Sequence, residues 1–384
     1  MKSLRLGEVL ASAPVFIGLI VITVVFQSLN SSFLNPFNLV NLCLQIAGLG
    51  ILATGVTLVL MLGEIDLSIG SVSGVAAAVL LVQHVRHSRA AWIAVLIAIV
   101  IGALIGLVQG SIFAKVGVPS FVVTLAGLLA WQGVQLRVLG QEGTINLPPN
   151  GVLVDVAQFR FLPHNVAIAL AVLIPAVLFG LQLLNHRRRR AAELEVRPLW
   201  QPLVVALLLA ILLQIIVAKL YQDRGIPWTF VFMVAVVAVV DWMLRHTKYG
   251  REIFAVGGNI EAARRSGINV NWIRISVFTL CSMLAATGGV IAAMRLGFAN
   301  QQSGGGETLI NAIAAAVIGG TSLFGGRTRR YAPLLGALVI GTIANGLELL
   351  SLSSDVRLIV TGTVLLLAVV IDAIVQRSRS IHGR

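Results

Sequence analysis

Apolar runs of about 20 residues recur from one end of the chain to the other, the length a helix needs to cross a hydrocarbon core about 30 Å thick. A backbone placed in lipid must bond its own N–H and C=O groups, so such runs fold as helices packed on one another. Composition agrees: of 384 residues, 58% are hydrophobic and 11% charged, and the mean hydropathy is +0.96. A water-soluble domain carries roughly 25% charged residues. The expected fold is all-α, a polytopic transmembrane bundle forming a single domain over 1–384.

Twelve candidate spans (10–12 allowing for weak ones) fall at 9–29, 39–62, 66–82, 91–114, 118–139, 165–184, 202–221, 228–244, 272–294, 308–324, 331–350 and 354–376. The segments 66–82 and 308–324 are short and rich in Gly, Ala and Ser, which also fits re-entrant or broken helices buried among neighbours. With both termini cytoplasmic, 20 of the 28 Lys and Arg fall in inside loops, including the run Arg187–Arg190 of the basic linker 185–201. Positive charge marks cytoplasmic loops, so the net charge of +13 reads as membrane orientation, with lipid as the partner and no nucleic acid. Cys43 and Cys281 lie inside apolar runs and read as core residues, and no cleaved signal is expected at the N-terminus. Trp92, Trp228, Trp242 and Trp272 sit near span ends as interfacial anchors, and Gly102, Gly106 and Gly110 form a stripe for close helix packing.

Several chemistries are missing. The four lysines, Lys2, Lys115, Lys219 and Lys248, follow Met, Ala, Ala and Thr, so there is no P-loop. None of the six histidines opens an H-E-x-x-H metal site, and the GSVSG of Gly70–Gly74 has Val where a nucleophile elbow has Ser. No catalytic residue, metal or cofactor is expected. Any uphill transport must be driven by a partner or an ion gradient.

The polar segment 245–271, RHTKYGREIFAVGGNIEAARRSGINVN, is the most informative stretch. Asn259 is placed to cap a helix, Glu261 lies in its first turn, Arg264 and Arg265 in its last, and Gly267 is placed to close it. A two-turn helix is unstable alone in water, because nucleation is costly, so the pattern reads as a helix that persists by docking, or else as a lone surface helix on the membrane face.

These residues carry a resemblance. EAARRSG at 261–267 resembles the EAA-type coupling loop of bacterial ABC import permeases, and GGNIEAARRSGI at 257–268 is similar to the version in permeases for ribose, xylose, arabinose and galactose. MLGEIDLSIGSVSG at 61–74, VPSFVVTLAG at 118–127, AAAVIGGTSLFGG at 314–326 and NGLELLSLSS at 345–354 extend it along the chain. The basic insert and extra helix pair across 185–221 look most like the xylose branch. INVNWIRIS after Gly267 replaces the hydrophobic-Leu-Pro ending of the commonest EAA pattern. The resemblance implies a type II importer in the bacterial inner membrane. Two permease copies would pair around a path, two cytoplasmic ABC ATPases would sit beneath, and a periplasmic sugar-binding protein would deliver the cargo. Gly257, Gly258, Asn259, Glu261, Ala262, Ala263, Arg264 and Gly267 would then form the contact with the ATPase.

Other polar positions leave two readings each. Glu64, Asp66 and Ser68 in GEIDLS are a turn with a helix cap at Asp66, or part of a gate. Asn41 and Gln45, four apart, and Asn345 and Glu348, three apart, line a sugar path or bond between helices. Trp131, with Gln132 and Gln135 nearby, stacks on sugar or packs in the core. A span, a Gly-flanked hydroxyl turn and a small-residue helix at 51–82 echo 308–346, as internal repeats of transporters do. An ion-coupled secondary transporter is the main rival, ahead of a membrane enzyme or a passive channel.

Overall fold

A computed structural model describes residues 6–194, 198–364, 366, 367 and 370, with side chains from residue 15 onward. Its first half contains α1 (Leu6–Leu29), α2 (Pro36–Met61), α3 (Ile69–Leu81), α4 (Ala91–Ser111), α5 (Ser120–Leu139), strand β1 (Thr144–Asn146), the turn α6 (Val152–Val154) and α7 (His164–Ala191). The second half contains α8 (Trp200–Leu220), α9 (Trp228–His246), α10 (Lys248–Gly258), α11 (Ile260–Arg265), α12 (Val270–Leu296), β2 (Phe298–Asn300), α13 (Gly306–Ile318) and α14 (Ala332–Leu349). Wide π-type turns extend α3 to Arg86 and α4 to Val116, and residues 354–364 are helical again.

Nine helices among the described residues are long and apolar enough to cross a membrane. They correspond to nine of the twelve expected spans. Of the others, 9–29 forms α1, and 354–376 runs beyond the described residues. The segment 308–324 is instead a 13-residue helix that stops at Ile318, followed by a turn. At 1.5 Å per residue, α13 rises only about 20 Å, too little to cross alone. It packs on α2 and α14, with its N-terminal end, Gly306 and Glu307, left exposed.

The centre of the bundle is α2, α3 and α12. Every residue of α3 is buried, and α12 packs along α2, α3 and α4. The glycine stripe of α4 explains one of these contacts. A Cβ on Gly106 would lie 2.4 Å from the Phe278 carbonyl oxygen, and one on Gly102 would lie 2.4 Å from Ala286 Cβ. Backbones approach this closely only where side chains are absent. Asn35 starts α2 by accepting a hydrogen bond from the Phe37 N–H at 3.1 Å, with Pro36 at the first helical position. Asn269 caps α12 in the same way from Trp272 N–H. Trp92, Trp228, Trp242 and Trp272 all lie exposed near helix ends, as membrane anchors do.

The pair α7–α8 stands to one side. It leaves and rejoins the body at one junction, where Leu162 N–H donates to Ile226 O (2.8 Å) and Trp228 N–H to Arg160 O (3.0 Å). Its buried residues, Ala167, Ala171 and Pro175 on α7 and Val217 and Leu220 on α8, all lie in the half nearest that junction.

Candidate functional site

Two regions concentrate the polar chemistry, at opposite ends of the 27-residue helix α12. At its start lie α10 and α11. Asn259 caps α11, its Oδ1 accepting from Ala262 N–H at 2.9 Å, and Gly267 has the left-handed backbone (φ +81°) that closes the segment. Glu261 and Arg264 pair at 3.0 Å on the exposed side, while Ala263 turns inward at 3% exposure. Ala262 and Arg265 are exposed as well. The expected helix is therefore present with its expected ends.

Gly257 and Gly258 belong to a second helix, α10, which the sequence reading missed. Its signal was there: Thr247 caps it through Gly250 N–H (3.1 Å), and Ile253 and Val256 recur at helical spacing and are buried. Tyr249 anchors it, donating to Ser276 Oγ at 2.8 Å, and burial pushes the phenol up, so it stays protonated.

Four segments that carry the resemblance meet here. The Met61 carbonyl at the end of α2 accepts from Gly326 N–H at 2.8 Å, and a Cβ on Gly257 would fall 1.7 Å from that same oxygen. Gly63 faces the Phe324 backbone in the turn between α13 and α14. The turns that follow α2 and α13, the two places where the internal echo was read, thus touch each other. Ser120 at the start of α5 donates to Glu64 Oε2 at 2.6 Å, and Thr124 lies 3.3 Å from the Ile65 carbonyl. Glu64 also pairs with Arg274 at 3.5 Å, and that guanidinium lies 4.5 Å from the Phe113 ring centroid. Ser120 and Arg274 had no signal that a spacing rule detects, because each acts across the fold.

Asp66 sits deeper, 4% exposed. Ser68 N–H donates to its Oδ1 at 2.8 Å, Ser68 Oγ lies 2.6 Å from the same oxygen and 3.1 Å from Gln109 Oε1, and Cys281 Sγ lies 3.7 Å from Oδ2. The expected cap is corrected. Ser68, not Asp66, precedes α3, and Asp66 instead satisfies the unwound backbone two residues on. Asp66→Ala should lower unfolding stability by about 1–3 kcal/mol, the effect of leaving a buried donor unpaired, and Asp66→Asn by less. Thermal unfolding of the purified protein checks this, and equal midpoints for wild type and Asp66→Ala would refute it.

At the far end of α12, a crevice of about 610 Å³ opens between α2, α12, α13 and α14. Gln45 and Glu348 line it, bonded at 2.9 Å, together with Gln132, Arg295, Gln302, Glu307 and Asn311. The Asn311 Oδ1 is buried without a partner among the described residues. Asn345 does not line it. Buried at 3% exposure, it exchanges hydrogen bonds with Asn38 (2.8 and 3.0 Å) and donates to Gln45 Oε1 (3.2 Å), fastening α14 to α2. Asn41 is likewise taken up, accepting from Arg224 (2.9 Å), whose guanidinium lies over Phe37 and Phe161. Trp131 packs against the core, and its neighbour Gln132 faces the crevice instead. Gln135 is a pin, donating to the Asn300 and Ser303 carbonyls at 2.9 Å each beside the β1–β2 ribbon.

Comparison with known proteins places these regions in a family. Residues 38–369 match the family model described as "Branched-chain amino acid transport system / permease component". The chain is 33% identical to the xylose transport system permease protein of Escherichia coli K12, over 91% of this chain and 88% of the relative. It is 35% identical to that of Haemophilus influenzae, over 93% and 96%. Against the ribose import permease protein of Escherichia coli K12 the identity is 36%, over 93% and 92%. No solved structure matches at a significant level. A match of that extent, on a chain whose described residues include nine helices fit to cross a membrane, means that this protein belongs to the permease-component family as a multi-pass membrane transport protein.

Proposed function

We propose that the chain is the membrane-spanning subunit of an ATP-binding-cassette importer that carries a monosaccharide, xylose or a related sugar, across the bacterial inner membrane. The observation that carries this reading is the likeness to xylose and ribose permeases along nearly the whole length of each. A cytoplasmic ATPase supplies the energy, a periplasmic sugar-binding protein delivers the cargo, and two copies of the chain pair around the path.

In this reading the α10–α11 end is cytoplasmic. Gly258, Asn259, Glu261, Ala262, Arg264 and Gly267 form the exposed surface offered to the ATPase, and Ala263 and Gly257 fix it to the bundle. The crevice opens toward the periplasm. Its amides from Gln45, Gln132 and Gln302 offer donors and acceptors side by side, which suits neutral hydroxyls. Two arginines, Arg295 and Arg357, balance Glu307 and Glu348 there, so the lining favours no net charge on the cargo. Glu64, Asp66 and Ser68 close the other end of the route, where Ser120 and Arg274 hold Glu64.

The test is uptake of radiolabelled sugars, xylose first, into proteoliposomes holding the chain and its partner ATPase, with binding protein outside and ATP inside. Uptake that needs both is expected. Uptake driven by a proton or sodium gradient without the ATPase would replace this reading with an ion-coupled secondary transporter.

A further inference from the structure

The side pair α7–α8, none of whose residues lines the crevice, carries a feature of its own. Counting from His164, about 20 residues of α7 span the roughly 30 Å of a hydrocarbon core. The helix continues past that point into Arg187, Arg188, Arg189 and Arg190, all exposed. Successive residues on a helix are turned by about 100°, so four in a row point all round the axis. They form a collar, not a pocket. No ion pair reaches any of the four among the described residues, so the charge is not spent on a protein acid.

What surrounds the collar follows from the packing. None of residues 176–194 or 198–216 is buried, so this half of the pair is held by neither core nor neighbour. Trp200, 62% exposed, begins α8 at the same end, where an indole marks the headgroup level. A lipid-surrounded helix pair with a cationic collar at headgroup depth meets phosphate esters before it meets anything else. We propose that Arg187–Arg190 is a docking belt for anionic phospholipid headgroups, phosphodiesters of net charge −1, which seats the α7–α8 pair in the membrane. The attraction is charge complementarity of the polybasic kind, and each arginine near an anionic surface favours binding about fivefold, or about 1 kcal/mol.

The test uses the full chain in bilayer nanodiscs, fluorescently labelled at Leu184→Cys, a half-exposed position, since Cys281 is buried and Cys43 partly so. Quenching by headgroup spin-labelled phosphatidylglycerol is compared with that by the phosphatidylcholine equivalent. Phosphatidylglycerol should be enriched at least about fivefold around the label, and the enrichment should fall as salt is raised. It should vanish in R187Q/R188Q/R189Q/R190Q, with R187Q/R188Q intermediate should the quadruple variant insert poorly. A label at Val166→Cys, at the other end of α7, should show no enrichment. Equal quenching by the two lipids in the wild type would overturn the belt and leave the arginines as an orientation signal alone. Enrichment that disappears when the partner ATPase binds would equally overturn it, because the collar would then be a protein contact.

Discussion

Glu261→Arg is expected to cut ATP-driven uptake at least about tenfold, the equivalent of about 1.4 kcal/mol in coupling, while the amount of protein in the membrane stays unchanged. Glu261 lies in the first turn of α11, where the helix dipole favours negative charge by about 0.3–1 kcal/mol. Its carboxylate meets Arg264 at 3.0 Å. Reversal turns that attraction into repulsion and places a cation at the wrong end of the dipole. Both losses fall on exposed side chains of a six-residue helix, so the bundle itself should not be affected. A partner docked on this surface would instead meet the opposite charge. Membrane content by immunoblot and uptake in the same vesicles separate the two effects, with Glu261→Gln expected between wild type and Arg. Undiminished uptake in Glu261→Arg would remove α11 as the coupling element.

Gly257→Ala is expected to be the more damaging of two adjacent glycine substitutions by a wide margin. Its new Cβ would sit 1.7 Å from the Met61 carbonyl oxygen and 2.8 Å from Gly326 N, both backbone atoms that no rotamer change can move. Relief requires α10 to lift from the end of α2, at an overpacking penalty of about 1–3 kcal/mol. At Gly258 a Cβ meets nothing within 4 Å, and alanine there should be neutral or slightly stabilising. Unfolding midpoints of the two variants, read beside their uptake, check the contrast. Similar behaviour of Gly257→Ala and Gly258→Ala would mean that α10 does not bear on α2 as described.

Much of this was legible in the sequence because the signals are local. Apolar length marked the spans, and the Asn259 to Gly267 pattern gave α11 with both its ends, since capping is decided within a few residues. The Gly102–Gly106–Gly110 stripe read as close packing for the same reason. What was not legible depends on partners distant in the chain. Gln45 and Asn345 share helix faces with Asn41 and Glu348 by spacing, yet only the fold decides that Gln45 and Glu348 face the crevice while Asn41 and Asn345 are used up by Arg224 and Asn38. Asp66 has the chemistry of a cap, but the chain unwinds up to Ser68, so the carboxylate serves the break itself. Hydropathy counts 308–324 as a span because it registers apolar character without knowing where a helix stops, while the shortness of the segment and its Gly, Ala and Ser content allow the broken helix that forms. The turn after Ile318 is fixed by contacts with Met61 and Gly63, 250 residues and more away in sequence.

The junction at Arg160–Leu162 and Ile226–Trp228 has a consequence for how such a chain can change over time. Because the backbone departs and returns through adjoining hydrogen bonds, the segment between is an appendage hung on a closed doorway and tied to α2 near its base by Arg224. A lineage can therefore lengthen, shorten or recharge the outer half of that appendage, arginine collar included, without renegotiating the packing of α2, α3 and α12.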